Sequence, residues 1–66
     1  MNMKEQCEKI LSENGVIADI DDFLYAMSDI LMFSLEETEK NEPYAYNSIA
    51  NLKSALQAIS VIQYEI

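Results

Sequence analysis

The segment from Ile20 to Leu35, IDDFLYAMSDILMFSL, limits what this chain can fold into, because it carries more apolar surface than one neighbouring helix covers. On an α-helix drawn at about 100° per residue, Ile20, Phe23, Leu24, Met27, Ile30, Leu31 and Leu35 share one broad face and form a core stripe. Tyr25, Ala26, Met32 and Phe33 fall on the other side, which also bears Asp22, Asp29 and Glu36. Aromatic and thioether groups are thus interleaved with carboxylates. Such a surface is expected to meet another molecule, and it points to binding with no sign of chemistry.

The single glycine and the single proline both stand at helix boundaries. Met3, Cys7, Ile10 and Leu11 follow the i, i+4, i+7, i+8 pattern of a short amphipathic helix, and Asn14-Gly15 supplies residues that tolerate the left-handed conformation ending one. Asp19 is placed to cap a second helix, with Asp22 at its third position, where a carboxylate favours the positive end of the helix dipole. Pro43 suits a first helical turn and resists an interior, so the chain is expected to break at Asn41-Glu42 and restart. Beyond it, Ala45, Ile49, Leu52, Leu56, Ile59 and Ile66 form one face, with Ala55 and Ile62 on its flank.

The expected fold is all-α. It has a short N-terminal helix (2–14) followed by a long antiparallel helical hairpin (20–41 and 43–65), a single unit over 1–66 that pairs into a dimeric helix bundle. Each long helix spans roughly 33 Å at 1.5 Å per residue, and the short break between them leaves folding back as the natural course. No strand signal appears, since Val16 to Ala18 is too short and no turn pair joins two alternating runs.

A chain of 66 residues buries only about 60% of the surface its unfolded form exposes. Disulfides, a metal or oligomerisation usually compensate. Cys7 is the only cysteine and histidine is absent, so neither an intramolecular disulfide nor an ordinary zinc site is expected. Oligomerisation or a partner remains. The formal charge of −8 sets 12 acidic residues against Lys4, Lys9, Lys40 and Lys53, with no arginine. Direct nucleic-acid binding and an anionic membrane surface are both disfavoured, because each is recognised through cations. Asp21, Asp22 and Asp29 interrupt the longest apolar run. MNMKEQCEKI lacks the pattern of a secretory signal, and with a lone cysteine this suits a reducing cytoplasm. Hydrophobic residues make up 50% of the chain, too many for general disorder.

Catalysis is not expected. Histidine is missing and the carboxylates cluster at positions expected to be solvated, Asp19, Asp21 and Asp22 at one end of the second helix and Glu36, Glu37, Glu39 and Glu42 at the other. Cys7 has Lys4 nearby but belongs to an apolar stripe, which favours an inert thiol. A calcium loop starting at Asp19 fails, because Phe23 and Leu24 fill its fifth and sixth positions and Ile30 its twelfth. A phosphate loop needs more glycine than the chain has. The Asp-Ser-Leu attachment motif of acyl carriers is also absent, Ser28-Asp29 being the nearest fragment. No cofactor or metal is implied.

What remains is the outward surface: Tyr25, Met32 and Phe33 beside Asp22, Asp29 and Glu36, with Tyr46, Val61 and Tyr64 off the core face of the third helix. Aromatic residues and methionine are enriched at protein interfaces. The first helix, a second copy or a foreign protein are the three ways to cover them. In size and composition the chain resembles the short acidic proteins that phages and other mobile elements encode to block host defence or regulators, a likeness that covers no motif. It implies an inhibitor or an antitoxin-like partner. The hairpin resembles in architecture the plasmid RNA-binding two-helix dimers, whose basic RNA-facing residues have no counterpart here. The function expected is thus a protein-binding inhibitor or regulator, with Tyr25, Met32, Phe33, Asp22, Asp29, Glu36, Tyr46 and Tyr64 as the binding residues. The alternatives are a structural homodimer or adaptor, and an acidic mimic that blocks a nucleic-acid-binding protein.

Overall fold

Asn2 and Asp19 start the first two helices by the same chemistry. In the computed structural model, which describes residues 2–66, the Asn2 side chain accepts a hydrogen bond from the Glu5 N–H at 2.8 Å and that of Asp19 accepts one from the Asp22 N–H at 2.9 Å. Each bond satisfies one of the donors that a helix N-terminus leaves unpaired. The described residues form α1 (Met3–Glu13), α2 (Ile20–Asn41) and α3 (Tyr46–Glu65), with no strand. Met1, the first residue of the expected 1–66 unit, lies outside the description.

The end of α1 is a Schellman motif. The Gly15 N–H donates to Ser12 O at 3.0 Å and the Val16 N–H to Leu11 O at 2.9 Å. Gly15 makes this possible with φ of +81°, and a Cβ there would meet nothing within 4 Å. The cost of a side chain is therefore one of backbone conformation alone. Gly15→Ala should destabilise the fold by about 1 kcal/mol, lowering the midpoint of a thermal circular-dichroism melt by about 4–8 °C for a domain of this size. An unchanged midpoint would show that the chain does not depend on this turn.

α3 begins three residues later than Pro43 suggests. Pro43 occupies the second position of a turn over Glu42–Ala45, closed by the Ala45 N–H donating to Glu42 O at 2.9 Å, and the helix follows at Tyr46. Ala45 supplies no side-chain cap, so α3 starts without the device that fixes α1 and α2. α2 packs closely against α3, while α1 makes a much smaller contact with α2 and no close backbone approach to α3. The first residues of α1 and the C-terminal end of the chain border one recess of about 180 Å³, lined by Asn2, Met3, Lys4, Glu65 and Ile66.

The core is small. Ile20 (4% exposed), Leu24 (8%) and Leu35 (8%) are its buried residues among those described. Phe23, Met27 and Leu31 are half-buried beside them, and so are Ala45, Ile49, Leu52, Ala55, Leu56, Ile59 and Ile66 opposite. On the long helices two positions depart from the expected stripes. Ile30 is 58% exposed, because it lies about 95° from the centre of the buried face of α2 when residues advance at 100°. Ile62, on the flank of α3, is exposed as well. In α1, Lys4, Cys7, Glu8 and Leu11 turn inward while Met3 and Ile10 stay exposed. Lys4 approaches Asp21, Nζ to Oδ2 at 3.9 Å, with both side chains still exposed. No helix among the described residues is long and apolar enough to cross a membrane.

Candidate partner-binding surface

Folding leaves the outer side of α2 uncovered. Tyr25 is 68% exposed, Phe33 64% and Met32 48%, so α1 does not act as their cover. Asp22, Asp29 and Glu36 are exposed among them. Their seven-residue spacing places them at nearly one azimuth, about 10.5 Å apart along the axis, as a ridge directly opposite the buried face.

The ridge divides the apolar residues that the sequence groups together. Tyr25 and Met32 stand on one flank, and Phe33 stands on the other with Ala26 and Ile30, by the same 100° geometry. The first flank also carries exposed Asp21 and Glu39. Between Phe23 and Ser34 both flanks are free of charge, and beyond Ser34 exposed Glu37 stands on the second, one turn from Phe33. Reading the outer side as one aromatic and acidic surface misses this division, although the seven-residue repeat that reveals it is present in the sequence.

On α3, Tyr46 and Tyr64 are both exposed. They share an azimuth but stand 18 residues apart, about 27 Å along the helix, so they belong to opposite ends of one face. Tyr46 is joined instead by Tyr44, their ring centroids 6.3 Å apart at an interplanar angle of 88°, an edge-to-face pair of the kind that stabilises exposed aromatic clusters. Periodicity does not single out Tyr44, because its i, i+2 spacing from Tyr46 has no meaning inside a helix. The pair forms only because Tyr44 lies in the turn.

Electrostatics on these surfaces is simple. Lys9 approaches Glu13 at 4.0 Å within α1, and this pair and Lys4 with Asp21 are solvent-exposed contacts at the limit of ion pairing, which contribute little. Among the described residues no ion pair involves Asp22, Asp29 or Glu36. Among the described residues no set of three or more His, Cys, Asp and Glu is arranged to hold a metal ion. A second, open recess of about 390 Å³ runs along α1 between Gln6, Lys9, Ile10 and Glu13, away from the α2 ridge. The outer side of α2 thus combines a regular helix, large exposed side chains and negative charge. No family model matches the chain, and no curated protein or solved structure matches it.

Proposed function

We propose that the chain is a protein-binding module that inhibits or regulates a partner by occupying its surface with the outer side of α2. The observation that carries this reading is the exposure of Tyr25, Met32 and Phe33 around the Asp22, Asp29 and Glu36 ridge. Large apolar groups gain most from a partner when they are already ordered, and here a helix of 22 residues orders them. The carboxylates select a partner with a basic rim and speed its approach. The work is proposed to take place in the cytoplasm, where the lone thiol of Cys7 stays reduced.

The proposed framework is an antiparallel α2/α3 hairpin that pairs with a second copy. Two helices of roughly 30 Å each, set end to end, would exceed the longest dimension of 43 Å. The connection over Glu42–Ala45 spans at most about 14 Å, too short to return the chain for a parallel pair. Support for pairing comes from the half-buried state of the whole inner face of α3.

Immobilised wild-type chain tests the reading when compared with a Tyr25→Ala/Met32→Ala variant over the same extract at low and high salt. The expected outcome is a captured protein that the variant loses and that moderate salt only weakens. Capture indifferent to the two substitutions but abolished by salt would instead support the acidic mimic, because screened charge then supplies the affinity.

A further inference from the structure

The surface that a second copy would take can be assigned. We infer that two copies of this chain meet through the flank formed by Ala26, Ile30 and Phe33 of α2 with Ala55, Ala58 and Ile62 of α3, on the opposite flank of α2 from Tyr25 and Met32. This assignment rests on the antiparallel pairing proposed above.

In an antiparallel helix pair, flanks lying in the same rotational sense from the contact line adjoin each other. Viewed from its own N-terminus, each helix carries the named residues counterclockwise of its inner face. Counting outward from the Glu42–Ala45 turn brings Ile30 level with Ala58, and Ala26 level with Ile62, to within about one residue at helical rise. Ala55 is half-buried and the other five are exposed. Burial on α2 is lopsided in the same sense. On the other side of its contact line Leu24 and Leu35 are buried and Ser28 is half-buried, whereas on this side Phe23 is half-buried and Ile30 is bare.

Area indicates how large an occupant is needed. The chain exposes 5073 Å², whereas a folded monomer of 7.5 kDa is expected to expose about 4,250 Å². The surplus of about 800 Å² is what each partner loses in a standard protein interface. Charge indicates what the occupant is. Two chains of net charge −8 that approached by the α2 ridge would bring three carboxylates of each together, whereas this flank carries Glu37 alone, at its end nearest the turn, and none between Phe23 and Ser34 or between Asn51 and Ile62. An apolar face that matches its own copy is the isologous surface of a twofold dimer. Docked this way, four long helices form the bundle, Phe33 passes from the partner surface to the seam between copies, and Tyr25, Met32, Asp22, Asp29 and Glu36 stay on the outside for a foreign protein.

Size-exclusion chromatography with light scattering tests the assignment on the full chain. Wild type should give twice 7.5 kDa. Ile30→Glu and Ala58→Glu, one on each helix, should each raise the dimer dissociation constant more than about hundredfold, while Tyr25→Glu should leave it unchanged. Circular dichroism reports whether each variant keeps its helices. A measurement without substitutions accompanies these: in a mixture of isotope-labelled and unlabelled wild-type chains, filtered NOEs between copies should involve the Ile30 and Ile62 methyls. A single-chain mass up to millimolar concentration overturns the pairing and leaves the partner reading standing. A dimer that lacks those NOEs, or that Tyr25→Glu dissociates, overturns this choice of face alone.

Discussion

Leu35→Ala should abolish the cooperative unfolding transition of this chain. Leu35 is 8% exposed and is one of three buried residues among those described, all on α2. Cutting a buried leucine to alanine costs about 2–5 kcal/mol, by lost transfer free energy and by the cavity left behind. The stability available is about 3–10 kcal/mol at 0.05–0.15 kcal/mol per residue, and domains below about 70 residues lie toward the lower end. One substitution therefore removes most of it. Urea titration followed at 222 nm should show a sloping curve with no folded baseline, where wild type shows a sigmoid. Tyr64→Ala is the control. Tyr64 stands off the inner face of α3 and is 90% exposed, so its truncation should change stability by no more than about 0.5 kcal/mol. A Leu35→Ala curve that overlays wild type would mean that the buried face of α2 is not what holds the fold.

Truncations on α3 should cost less. Its inner residues, Ile49, Leu52, Leu56 and Ile59, are half-buried, so each returns less of its apolar area to water when truncated in a single chain. If a second copy covers the adjoining flank, their contribution grows with protein concentration, because association stabilises the folded state by mass action. Burial in one chain and stability in solution then differ for α3 more than for α2.

Local signals in the sequence give α2 its limits, and long-range packing accounts for what they leave out. Asp19 offers a side-chain acceptor just before an apolar-periodic run and Pro43 forbids continuation beyond Glu42, so the helix from Ile20 to Asn41 is legible residue by residue. The start of α3 is not. Pro43 fixes φ near −65°, which suits a first helical turn and the second position of a β-turn equally, and only the Ala45 to Glu42 hydrogen bond decides between them. Ile30 illustrates a second limit. Its azimuth lies at the margin of the α2 stripe, and whether such a residue is buried depends on where the neighbouring helix sits, which periodicity along one strand of sequence does not encode. The grouping of Tyr25 with Phe33 has the same origin: both lie outside the core stripe, but the ridge of Asp22, Asp29 and Glu36 runs between them. That Tyr25, Met32 and Phe33 stay exposed is legible from periodicity; how many surfaces they make is not.

That division sets the last expected result, on the proposed protein partner of α2. Tyr25→Ala should weaken the complex by about 2 kcal/mol, the range of an aromatic anchor at the centre of an interface, or about 30-fold in dissociation constant. Met32→Ala should cost less, since a flexible thioether fills a gap and does not fix an orientation. Loss of binding could not be ascribed to unfolding, because Tyr25 and Met32 are exposed and alanine favours helix more than either. Asp29→Asn has a different signature: a slower association and a shallower salt dependence with dissociation little changed, as expected for charge at a rim. Surface plasmon resonance on the purified pair separates these effects, since the aromatic substitution acts on the dissociation rate and the charge substitution on the association rate. The nucleic-acid mimic reverses the order. Its affinity would reside in the carboxylates, so Asp29→Asn and salt would cost most and Tyr25→Ala little. Phe33→Ala separates the two flanks further. If Phe33 lies between two copies, its truncation lowers partner binding only through loss of the dimer, and the effect vanishes in a tandem fusion that holds two chains together. A loss that persists in the fusion would return Phe33 to the partner surface and make the ridge, with both of its flanks, a single site.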